Sequence, residues 1–144
     1  AHDDEMRARI ARHQRERAAR VPGLRTLEAR HDLPTAIAQA GGADTLHIVD
    51  CLTLWLTQQL MPLEDSGPNR PPAPDWRAQT ALFIEAIRAC PGPIVLVGNE
   101  IGLGVIPLGR EVRAFVDALG TLNQQVAAAC ERVTLMAAGL PLTL

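Results

Sequence analysis

Polar and apolar residues follow helical spacing at the start of this chain: Met6, Ile10, His13 and Arg17 recur every three or four positions. At 3.6 residues per turn they form one stripe of a helix. Asp3, Asp4 and Glu5 precede the stripe and arginines follow it, the order of charge that a helix dipole favours. Val21-Pro22-Gly23 is a turn signal. Residues 24–28 read as a short strand, and residues 33–40 as a short helix closed by Gly41-Gly42. Residues 45–50 (TLHIVD) predict a buried strand, followed by a mostly buried helix carrying Leu52, Leu54, Trp55, Leu56 and Leu60. Five prolines in residues 62–75 exclude regular structure and predict a mobile loop.

Residues 76–90 have amphipathic helical spacing, and residues 93–98 (PIVLVG) form a second apolar run of strand length. A glycine-containing loop at 99–109 leads into a long helix at 110–130, which Gly120 is expected to disturb. Residues 132–137 and 140–144 predict two closing strands around Gly139. Strands that alternate with helices and are apolar throughout indicate an α/β fold, with a mostly parallel sheet covered by helices on both faces. Ligands of such sheets collect at the carboxyl ends of the strands. Asp50 ends one predicted strand, and Asn99 and Glu100 follow the other.

The length, 144 residues, suits a single domain, 1–144. The formal net charge of −2 is unevenly spread. Residues 1–31 hold eight Arg against five acidic residues, and the remainder six Arg against eleven. A basic surface on an acidic body suits a small anionic ligand better than a long nucleic acid. Aromatic residues make up 3% of the chain and Tyr is absent, which leaves few stacking platforms for RNA. No apolar run is long enough for a membrane span, and the charged N-terminus does not resemble a secretion signal. Three widely spaced cysteines fit neither a zinc site nor a disulfide framework and suit a reducing, cytoplasmic setting. The chain opens almost directly into a helix at Ala1 and reads as a piece of a longer protein.

Three stretches carry chemistry. In HIVDCLTLWL an apolar strand delivers Asp50 to its carboxyl end, where an acid can orient Mg²⁺ in phosphate-transfer enzymes. The alternative is that Asp50 caps the next helix. In VGNEIGLGVIPLGRE, Gly102 and Gly104 suggest a dinucleotide turn, and 104–111 has phosphate-loop spacing. Pro107 spoils the first, and Arg110-Glu111 in place of Lys-Ser/Thr spoils the second. What is left is either a loop that approaches a ligand closely or a plain strand-to-helix connection. His13 is either an ordinary helix residue or a nucleophile. Arg12, Arg15 and Arg17 are its sequence neighbours, and arginine grips phosphate bidentately. Positive neighbours also oppose a second charge on the imidazole, which favours its neutral, nucleophilic form.

The order of motifs resembles a known family. DDEMRARIARHQRER, TLE at 26–28, VDCLTLWL, VGNEIGLGVIP, REVRAFVDALGTLNQQVA and GLPLTL are together similar to the bifunctional adenosylcobinamide kinase and adenosylcobinamide-phosphate guanylyltransferases of cobalamin biosynthesis. The resemblance implies a RecA-like, P-loop NTPase-type sheet with an antiparallel edge, and a homotrimer. It implies that ATP or GTP phosphorylates adenosylcobinamide, and that GMP from GTP then passes through a histidine to adenosylcobinamide-phosphate, giving adenosylcobinamide-GDP. The histidine of that motif is His13. Gln14, Arg15, Glu16, Arg17, Glu28 and Asp50 match GTP contacts, with Asp50 also a candidate Mg²⁺ ligand. Asn99, Glu100, Gly102 and Gly104 fall in a loop near nucleotide or substrate. The family opens with a strand, a G-G-A-R-S-G-K-S loop and a helix that have no counterpart here, and the chain contains no Lys. The expectation is therefore a chain without kinase competence. The competing reading is a non-catalytic nucleotide-binding or oligomerisation relic of the family.

Overall fold

The computed structural model describes residues 4–29, 32–61 and 75–144. The loop expected at 62–75 thus lies, apart from Asp75, outside the described residues. Helix α1 (Asp4–Arg20) is followed by α2 (Leu33–Gln39), strand β1 (His47–Asp50), α3 (Leu52–Leu60) and α4 (Trp76–Ala89). Then come β2 (Ile94–Val97), α5 (Arg110–Ala129), β3 (Thr134–Ala137) and β4 (Leu140–Thr143).

Two helix starts, those of α2 and α4, have a side-chain cap. The Asp32 carboxylate accepts from Thr35 N at 3.1 Å to cap α2, with Pro34 in the first turn. Asp75 caps α4 in the same way, accepting from Arg77 N at 3.1 Å. The apolar faces of α3, α4 and α5 then meet. Leu56, Phe83, Leu119 and Leu122 are completely buried, and the rings of Trp55 and Phe83 lie 5.2 Å apart, tilted by 43°. Helix α5 runs unbroken through Gly120, because Leu119 and Leu122 beside it are anchored in this core. The roughly 1 kcal/mol that a mid-helix glycine costs is small against that burial.

Strands β1 and β2 pair in parallel, with His47 opposite Ile94 and Asp50 opposite Val97. Their amino ends are closely packed. His47 N donates to Pro93 O at 2.9 Å, and a Cβ at Gly92 would fall 2.4 Å from the Thr45 carbonyl oxygen. Only glycine fits there. Strands β3 and β4 form an antiparallel hairpin. Its two-residue turn places Ala138 at φ 51° and Gly139 at φ 79°, the left-handed pair that matches hairpin twist.

Three expectations are corrected. Residues 24–28 form no strand; they are exposed throughout and have no sheet partner among the described residues. Among the described residues, helices do not cover both faces of β1–β2. His47 and Val49 are buried on one face, whereas Ile48, Val95 and Val97 are exposed on the other. The antiparallel pair is not the edge of the parallel sheet, since β3–β4 is a sheet of its own. No helix is long and apolar enough to cross a membrane among the described residues.

Cys130 follows α5 and is half-buried. Burial pushes its thiol above the usual 9.0. In the unfolded chain the thiol ionises first, so its contribution to stability is complete below about pH 9 and is lost as pH rises through the folded value. The loss of urea resistance between pH 8 and pH 10.5 is therefore expected to be smaller in Cys130→Ser than in the parent chain.

Candidate functional site

Helix α1 carries one group of the predicted residues. Counting 100° per residue from His13, Arg17 and Arg20 fall on the same face and Glu16 beside it, while Arg15 points to the opposite side. The structure agrees: His13, Glu16, Arg17, Arg20 and Val21 line a shallow hollow of about 210 Å³. His13 Nδ1 lies 3.9 Å from Glu16 Oε2, and Arg12 Nε reaches Glu16 Oε1 at 3.9 Å. Arg12, expected beside the imidazole, is thus turned to the carboxylate that His13 also meets. The imidazole is half-exposed and open to a ligand. Arg20 was not among the candidates, although its position seven residues after His13 puts it on the same stripe. Gln14 and Arg15 are exposed on α1 outside the hollow, and Glu28 is exposed on the irregular segment that follows.

The second group lies at the carboxyl ends of β1 and β2. Asp50 is exposed at the end of β1. It does not cap α3, whose N-cap is Cys51 with no side-chain hydrogen bond. This removes the capping alternative for Asp50. Asn99 and Glu100 are held by residues distant in sequence. Asn99 N donates to Thr53 Oγ1 at 3.1 Å, and Thr53 is itself fixed on α3, its carbonyl accepting from Thr57 Oγ1 at 2.8 Å. Asn123 Nδ2, on α5, donates to Asn99 O at 3.1 Å and to Glu100 Oε2 at 3.4 Å. Glu100 Oε1 accepts from Gly102 N at 2.8 Å. Both carboxylate oxygens of Glu100 therefore hold the loop in shape. Gly104 continues the turn, its N–H reaching Ile101 O at 3.4 Å.

Thr53 and Asn123 are the residues sequence reasoning missed in this group. Asn123→Ala removes two donors from exposed acceptors and is expected to cost about 1 kcal/mol. Amide exchange at Gly102 should speed up in that variant, because its acceptor Glu100 loses its anchor; both effects are measurable by urea titration and hydrogen exchange.

The two groups are not joined into one cavity by the described residues: the hollow beside His13 is lined by α1 and Val21 alone. Among the described residues no cluster of three His, Cys, Asp or Glu side chains is arranged to hold a metal ion. Asp50 is a single exposed carboxylate at the end of β1.

Comparison with known proteins adds a second line of observation. Residues 1–144 match the family described as cobinamide kinase / cobinamide phosphate guanyltransferase. The chain is 43% identical over 144 residues to the bifunctional adenosylcobalamin biosynthesis protein CobP of Pseudomonas aeruginosa, covering 100% of this chain and 77% of that one. It is 36% identical over 145 residues to the bifunctional adenosylcobalamin biosynthesis protein CobU of Salmonella typhimurium, covering 96% and 77%. The Escherichia coli protein of the same description is 34% identical over 147 residues, with 96% and 77% covered.

Proposed function

The chain belongs to the cobinamide kinase / cobinamide phosphate guanyltransferase family, and from that premise we propose that its 144 residues form a nucleotide-binding domain that carries guanylyl transfer on His13. The observation that carries the reading is the solvent-open hollow in which His13, Glu16, Arg17 and Arg20 share one face of α1. A neutral imidazole nitrogen attacks the α-phosphorus of GTP, the bond to the bridging oxygen breaks, and pyrophosphate leaves. Arg17 and Arg20 hold the phosphoryl oxygens as charge spreads over them. Glu16, whose Oε2 stands 3.9 Å from Nδ1, would offset the positive charge that the ring takes on as it attacks. A phosphate oxygen of adenosylcobinamide-phosphate then attacks the same phosphorus. The P–N bond breaks, and adenosylcobinamide-GDP departs with the imidazole restored.

Gln14, Arg15 and Glu28 are proposed as outer contacts to the guanine nucleotide. Asp50 would hold Mg²⁺ jointly with the nucleotide's phosphates; the ion would neutralise phosphate charge when bound. Asn99, Glu100, Gly102 and Gly104 form the adjoining loop at the strand edge. The kinase step, with ATP or GTP as phosphate donor, needs a lysine-containing phosphate cradle, and these 144 residues contain no Lys. We therefore rest the proposal on the guanylyl-transfer step. The uncovered face bearing Ile48, Val95 and Val97 supports a further layer packed on the parallel pair, as a RecA-like fold has, and the exposed Ile10, Val21 and Leu27 support assembly of protomers into a homotrimer; the cytoplasm is the proposed setting.

The test is incubation with GTP labelled at the α-phosphate. Label is expected on the chain, lost in acid and kept in alkali, as a phosphoramidate requires. Label that survives acid would exclude a histidine carrier.

A further inference from the structure

The loop between β2 and α5 exposes a group of apolar side chains that the chemistry above does not use. Leu103 is 80% exposed, Val105 95%, Ile106 78% and Leu108 97%, with Ile101 exposed beside them. Single exposed apolar residues are ordinary; five within eight consecutive positions mark a binding surface. The loop is also tied at both ends. Glu100 holds Gly102 N at 2.8 Å. At the far end, Arg113 Nη1 donates to Pro107 O at 3.0 Å and to Leu108 O. Its polar backbone is thus anchored to the body of the protein while its side chains face solvent. It leaves the carboxyl end of β2, the strand edge at which α/β sheets take their ligands, directly after Asn99 and Glu100.

Resting on the family reading above, we propose that this loop is the seat of the corrin ring of adenosylcobinamide and its phosphate. The macrocycle is broad and rigid, and its face opposite the adenosyl group is weakly polar, with amide groups at the rim. Leu103, Val105, Ile106 and Leu108 lie against a face of the ring, and the amide rim stays in water. A rigid ligand on an anchored loop loses little conformational freedom on binding, and the apolar area leaving water drives the contact. A second copy of the chain is a poorer occupant. Five side chains fall far short of the roughly 20–30 residues a side of a standard protein interface, but they match one ring face.

The experiment titrates the full chain with adenosylcobinamide by equilibrium dialysis in the dark, beside GTP labelling. Leu103→Ser with Leu108→Ser is expected to weaken cobinamide binding about tenfold or more, with GTP labelling and thermal midpoint unchanged. Leu103→Met with Leu108→Met is expected to bind near the parent level. Equal binding by the serine variant and the parent overturns the proposal. Joint loss of binding and labelling overturns it too, as does a serine variant that weakens binding only through a fall in sedimenting mass. A parent chain that neither takes label nor binds cobinamide sinks the family-based reading underneath, which separates the two failures.

Discussion

In His13→Ala, transfer of labelled GMP onto the chain is expected to fall by about three orders of magnitude or more, to the level of unfolded control protein. Removing a nucleophile removes the covalent route altogether, whereas removing a phosphate contact only weakens it. Arg17→Ala and Arg20→Ala should therefore keep measurable labelling with a raised KM for GTP. The variant is safe to read, because no described side chain of α1 is buried and His13 is half-exposed. Replacing it creates no cavity, so the thermal midpoint should move little. Label that persists undiminished on the alanine chain would take His13 out of its role.

The second large effect is on stability. Phe83 is completely buried and stacks obliquely on Trp55. Phe83→Ala leaves a cavity where α4 meets α3, and such truncations cost about 3–5 kcal/mol. A domain of this size has about 5–15 kcal/mol in total, so the variant stands near the edge of folding. A fall in the thermal midpoint of roughly 10 °C is expected. Trp55 provides the readout: in a Trp76→Phe background, its indole emission should shift and broaden as the packing of the ring loosens. A fall of only a degree or two would mean that Phe83 is not the keystone its burial indicates.

The elements legible in the sequence are those fixed by periodicity and caps. The apolar run around 94–97 and the 3.6-residue spacing of α4 and α5 each became the expected element to within about two residues. The strand expected at 24–28 failed because strand formation needs a neighbour, and a run of chemically suitable residues does not reveal whether one exists. The parallel pair was legible, but its uncovered face was not. Ile48 and Val95 read as buried because apolar residues usually are, and burial depends on what packs from far away.

The candidate site divides in the same way. Spacing put His13 and Arg17 on one stripe of α1, and the same spacing, applied strictly, adds Arg20 and sets Arg15 on the far side. Asp50 was placed correctly at a strand end. The loop after β2 was recognised, but what fixes it was not. Thr53 is 46 positions from Asn99, and Asn123 is 24 positions from it. No local pattern links residues so far apart; only the folded chain does.

The close contact of Gly92 with the Thr45 carbonyl bears on how substitution data for this protein should be interpreted. Any bulkier residue at 92 would wedge β1 and β2 apart at the rim remote from Asp50 and Asn99, and their spacing would change by lever action through the strands. A mutational survey scored by cobalamin production would mark position 92 as indispensable, yet the defect would lie in the alignment of two strands and not in any step of the chemistry.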